Sequence, residues 1–420
     1  MNQMFIAYLL VGGIVVAFAM LIVVSIARSM DGSRLARPSA APHAHAATTA
    51  AHGKLGDLKM KDAMQTIARM GTIEGLIAVA SETASPAAEG KKPSGMQQVN
   101  TTLATVAGGL AIIGIGAAFF AGILNDPEPP VESAISAGAL QGTLLSAGRR
   151  SEVVLIVPGS GPTDRNGDSP LGIRAQPLKL LAEGLAAEGI SSVRVDKRGM
   201  FGSAAAGDPN QVSVDLYASD YRTWVDAIRE QTGVKCVWLL GHSEGALMVS
   251  AAAQGRKDVC GLILVSGIGR RLGDAIRAQL RANPANAPIM DSALHALSEL
   301  EAGRKVDTTG MNPALLSLFA PQVQDYLIDI LSTEPVEVLR RAKKQALIIQ
   351  GTTDLQTTIE DARLLDKAPR AHLELIKGMN HILKDAPLDR AVNFATYANP
   401  DLPIARGLIR EIEDFIEDDD

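Results

Sequence analysis

The sequence predicts an α/β fold: a mostly parallel sheet covered by helices on both faces, with a helical cap, preceded by two transmembrane helices. Two observations carry the sheet. Short apolar runs recur from about Ala139, Val153, Ser192, Cys236, Leu262, Ala346 and Leu373, and runs of that length bounded by turn residues read as strands buried on both faces. Helical stretches such as 177–188 separate most of them, which implies crossover connections between parallel strands. The third observation is a pair of charge-free apolar stretches, 5–26 and 103–124, since a bilayer span takes about 20 such residues.

The first stretch lacks a basic n-region and is longer than the apolar core of a signal peptide, so it reads as an anchor. The second is terminated by Pro127, Pro129 and Pro130. Arg28, Arg34 and Arg37 follow the first, and Lys91 and Lys92 precede the second. The positive-inside rule then puts 27–102 in the cytoplasm of a bacterial inner-membrane protein, with the domain at 133–420 facing the periplasm or exterior. Within 27–102, the Ala/Pro/His-rich tract 38–52 cannot bury a core. Leu58, Met64, Ile67, Met70 and Ile77 recur at near-helical spacing and predict an amphipathic helix. His43, His45 and His52 read as incidental, not as metal ligands.

At 420 residues and 47% hydrophobic, the chain can build one large domain and an appendage. Its net charge of -6, with acidic residues gathered near the C-terminus, offers no broad basic surface and excludes nucleic acid as a partner.

Chemistry enters at Gly241-His242-Ser243-Glu244-Gly245, a G-x-S-x-G string between an apolar strand and an Ala-rich helix. A sharp strand-to-helix turn would project the Ser243 hydroxyl from the sheet edge, although Ser243 is equally placed to cap the helix. Two later strands end in Gly351-Thr352-Thr353-Asp354 and Gly378-Met379-Asn380-His381, so an acid and a base each follow a strand. Asp361 and Asp385 are rival acids, and His372, in or beside a strand, is a rival base.

The order Ser243, Asp354, His381 resembles the nucleophile, acid and base of the α/β-hydrolase superfamily. The strand Val153 to Val157 and the loop Pro158-Gly159-Ser160-Gly161-Pro162 that follows resemble the oxyanion loop of its serine-aminopeptidase-like, bacterial esterase branch. Asp196-Lys197-Arg198-Gly199 is similar to a D-x-R-G turn of that branch. The resemblance implies oxyanion donors at the backbone N–H groups of Ser160 and Glu244. It also implies that the helical stretch 267–345 is a cap, with Met290, Leu294, Met311, Leu315, Leu318 and Phe319 either lining an acyl pocket or packing cap to core. Asp164-Arg165-Asn166 either meets substrate or shapes its loop through an internal ion pair, and Asp196 and Arg198 read as structural.

The function expected is a membrane-anchored serine hydrolase acting on a small carboxylic ester or thioester. The alternatives are an aminopeptidase or amidase of the same fold and a non-catalytic binding module. No phosphate loop, zinc signature or dinucleotide fingerprint is present, so neither cofactor nor metal is expected. Cys236 and Cys260 each precede the apolar part of what should be neighbouring strands, and they read as small buried thiols, with a disulfide in an oxidising compartment as the alternative.

Overall fold

A computed structural model describes residues 129–148 and 152–418. The expected spans 5–26 and 103–124, the connecting segment 27–102 and its amphipathic helix all lie outside those residues. Among the described residues no helix is long and apolar enough to cross a membrane.

One sheet of eight strands organises the fold, in the spatial order β1-β2-β4-β3-β5-β6-β7-β8. These are β1 Val131–Ala137, β2 Leu140–Ser146, β3 Val153–Val157, β4 Ser191–Val195, β5 Val237–His242, β6 Val259–Val265, β7 Ala346–Gly351 and β8 Ala371–Ile376. The β1–β2 and β2–β4 pairings are antiparallel and all others parallel.

Side-chain alternation divides the core between the two faces. From β3, Val153, Leu155 and Val157 enter the larger apolar cluster, while Val154 and Ile156 enter the other. Strand β7 does the same, with Ala346 and Ile348 on one side and Leu347 and Ile349 on the other. Such strands have no solvent face, which is why their sequence is continuously apolar.

The first face is covered by α2 (Val214–Thr232) and α3 (Glu244–Ala252); α1 (Pro177–Ala187) and the C-terminal helix Leu408–Glu417 cover the second. Helix α2 is bounded by local chemistry. The Ser213 hydroxyl accepts from the Leu216 N–H at the start, and Gly233 in the left-handed region ends it.

Strand β1 was not foreseen. Its seven residues, VESAISA, are exposed except Ile135 and Ala137, so an edge strand with one half-covered end carries little apolar signal. Cys236 and Cys260 follow the alternative reading and not the favoured one: they form a disulfide, with Cα atoms 5.2 Å apart, because β5 and β6 are hydrogen-bonded neighbours.

Strand β4 lies on one side of β3 and β5 on the other, so the chain reverses its direction of travel across the sheet at β3. The loops leaving β3 and β5 therefore diverge, opening a crevice beyond their carboxyl ends. Between β6 and β7 the chain forms helices, from Leu272–Arg281 through Pro335–Ala342.

Candidate active site

Ser243 follows the last residue of β5 and precedes the first of α3, with φ 56° and ψ −119°. A left-handed φ is costly for a residue with a Cβ and persists only where the surroundings hold it. Here the Ser243 N–H donates to the Val265 carbonyl at 2.9 Å. Close approach of strand and helix explains the flanking glycine, for a Cβ at Gly241 would stand 2.3 Å from the Gly245 carbonyl oxygen. The Ser243 side chain does not cap α3.

The hydroxyl is turned instead toward His381, whose Nε2 is 3.1 Å from Ser243 Oγ. On the other side of the ring, His381 Nδ1 donates to Asp354 Oδ2 at 2.8 Å, and both side chains are almost wholly withdrawn from water. Asp354 also accepts from the backbone N–H groups of Gln356 and Thr357, the Thr357 hydroxyl and the Gln350 amide. Burial pushes its carboxyl up, but the adjacent His381, with the donors of Gln356 and Thr357, outweighs that and holds it below the ordinary carboxylate value. Gly351 makes room for this meeting: a Cβ there would lie 2.0 Å from the Met379 carbonyl, where the His381 loop crosses the Asp354 loop.

The rival residues have other partners. Asp361 binds the Arg270 guanidinium and completes a capping box with Thr358. Exposed His372 pairs with Glu374, and Asp385 faces Arg406.

His242, unremarked in the sequence, pins the base from behind. Its Nε2–H donates to the His381 carbonyl at 2.7 Å. Burial and the neighbouring His381 depress its pKa to about 4, so it stays neutral.

Ser160 and Glu244 stand where the sequence places them, on the loop after β3 and in the first turn of α3. Two small clefts flank Ser243, each of about 20 Å³, room for about one water. Ser160 and Ser243 line both. One cleft continues between Leu247, Ile268, Leu272, Ile330 and Pro335; the other includes His381 and Ile382.

The six apolar residues named from 267–345 line neither cleft. Leu315, Leu318 and Phe319 are buried in the larger core cluster, with Met290 and Met311 packed against it, which is the packing alternative. Arg165 makes a forked pair with Asp196, its Nε at 3.0 Å and Nη2 at 2.6 Å. Arg198 pairs with Asp220. These pairs shape the loops after β3 and β4.

Comparison with known proteins gives this geometry a family. The model of the alpha/beta hydrolase family matches residues 153–396, more than half the chain. The chain belongs to the α/β-hydrolase family. Esterase EstD of Thermotoga maritima is 27% identical to this α/β-hydrolase over 265 residues, a match spanning 61% of this chain and 61% of that protein's length. Among solved structures, the α/β hydrolase GrgF from Penicillium sp. sh18 is similar with a TM-score of 0.44 and 22% identity, covering 70% of this chain and 98% of that one. Est1E from Butyrivibrio proteoclasticus matches with a TM-score of 0.42 and 16% identity, over 69% of this chain and 98% of its own.

Proposed function

We propose that this chain is a serine hydrolase that cleaves a carboxylic ester or thioester through an acyl-enzyme. The observation that carries the reading is the buried relay from Ser243 Oγ through His381 to Asp354. Similarity to Esterase EstD favours an ester over an amide.

In this mechanism His381 Nε2 takes the hydroxyl proton as Ser243 Oγ bonds to the carbonyl carbon, and the carbonyl electrons move onto oxygen. The oxyanion lies between the N–H groups of Ser160 and Glu244. Asp354 steadies the imidazolium. The carbonyl reforms as the leaving oxygen or sulfur departs with the His381 proton, and water, deprotonated by His381, repeats the sequence to release the acid.

The cleft bounded by Leu247, Ile268, Leu272 and Ile330 is the acyl side, and its size favours a short acyl group unless the helices after β6, read as a cap, move. We also place 5–26 and 103–124 in a bacterial inner membrane, with this domain in the periplasm or exterior. The Cys236–Cys260 disulfide suits an oxidising compartment.

The test combines a fluorophosphonate probe with p-nitrophenyl esters of increasing chain length and aminoacyl amides. Labelling lost in Ser243→Ala, with fastest turnover of acetyl or butyryl esters, is expected. Turnover of amides alone would replace the ester reading, and unlabelled folded protein would point to a binding module. A compartment-sensitive reporter fused at the C-terminus tests the orientation.

A further inference from the structure

We infer that Lys197 is a positioning residue for the oxyanion site, its ammonium holding the Gly159–Ser160 peptide so that the Ser160 N–H faces the carbonyl under attack. The inference rests on the serine-hydrolase reading and assigns a role to a side chain which that mechanism does not use.

Lys197 follows β4 and is only 4% exposed. Its Nζ donates to the Gly159 carbonyl oxygen at 2.6 Å. In a trans peptide the C=O of Gly159 and the N–H of Ser160 point in opposite directions. An ammonium on the oxygen therefore fixes the N–H on the far side and polarises it as a donor. That peptide stands against the nucleophile: a Cβ at Gly159 would be 3.1 Å from Ser243 Cβ.

The charge facing Lys197 is Glu244, at the start of α3. Around that carboxylate are the buried phenols of Tyr217 and Tyr221, from α2, and Tyr326, from the helix Gln324–Leu331. Arg198, beside Lys197 in sequence, is engaged by Asp220. Burial lowers the Lys197 pKa to about 8 and Glu244 opposes that, so the ammonium loses its proton within an assayable range.

The experiment measures kcat and KM for p-nitrophenyl acetate against pH in the full chain. Wild type should lose kcat as pH rises through about 8. Lys197→Met should lower kcat roughly 10- to 100-fold with KM within about threefold, as expected for an oxyanion donor left unsupported, and should lack that alkaline fall. Glu244→Gln keeps the ammonium but removes the charge that retains its proton, so the fall should begin at lower pH. A Lys197→Met kcat within twofold of wild type overturns the proposal, as does an alkaline limb that Glu244→Gln leaves in place. Should Lys197→Met not fold, the Glu244→Gln limb decides. Undiminished turnover by Ser243→Ala would instead mean that the serine-hydrolase reading itself has failed.

Discussion

His381 Nδ1 and Asp354 Oδ2 lie 2.8 Å apart in a pocket that excludes water from both side chains. The carboxylate accepts from four other donors, so its position is set by the protein independently of the histidine. Asp354→Asn would present an amide N–H toward a ring N–H or toward the donors of Gln356 and Thr357. The ring would adopt the tautomer that cannot take a proton from Ser243. We expect kcat to fall roughly 10³- to 10⁴-fold with the fold retained, measured by ester turnover beside circular dichroism.

His242 links the site to acid stability. Its pKa falls from 6.5 to about 4 on folding, through burial first and His381 second. Below pH 6.5 the unfolded chain binds a proton that the folded chain refuses, so stability is lost as pH falls toward 4. The cost amounts to roughly 3 kcal/mol once both states are protonated. Replacing His242 with Asn should flatten the pH dependence of urea midpoints between pH 6.5 and 4. An unchanged slope would mean that His242 is not the group responsible.

The parts of this molecule that the sequence discloses are those whose chemistry is local. Central strands such as β3, buried on both faces, must be apolar throughout, and the turn at Ser243 needs small neighbours, so both announce themselves. Asp354 and His381 are visible because each closely follows a strand. What stays hidden depends on distant segments meeting. The bond from His242 to the His381 backbone joins residues 139 apart in sequence, and Lys197 reaches Gly159 across two loops. Strand β1 was missed because an exposed edge strand has no apolar alternation to show. The sequence leaves the state of Cys236 and Cys260 open between thiols and a disulfide, because spacing alone does not fix the register of the two strands that brings them together.

That disulfide should matter to stability and not to turnover. It closes a segment with a sequence separation of 24, which by chain entropy is worth about 3 kcal/mol. Cys236 sits just before β5, while Ser243 follows its far end, about 20 Å away for a strand of six residues. Cys236→Ala with Cys260→Ala should lower Tm by roughly 5–10 °C and leave kcat within about twofold. A large loss of kcat at a temperature where the variant is folded would show that the strand transmits strain to the nucleophile.

Gly351→Ala should damage stability and catalysis together. The added methyl would lie 2.0 Å from the Met379 carbonyl, backbone that cannot swing aside. Relief requires the two loops to part, and they carry Asp354 and His381, three residues beyond Gly351 and two beyond Met379. Overpacking of this kind costs about 1–3 kcal/mol, and a displacement near 1 Å between reacting groups costs about 10²-fold in rate. Gly255→Ala separates steric from conformational effects, because its φ is +73° and its Cβ would meet nothing within 4 Å. That control should lose about 1 kcal/mol with normal turnover. If Gly351→Ala matched the control in kcat, the crossing at Met379 would not be what holds the acid and the base in register.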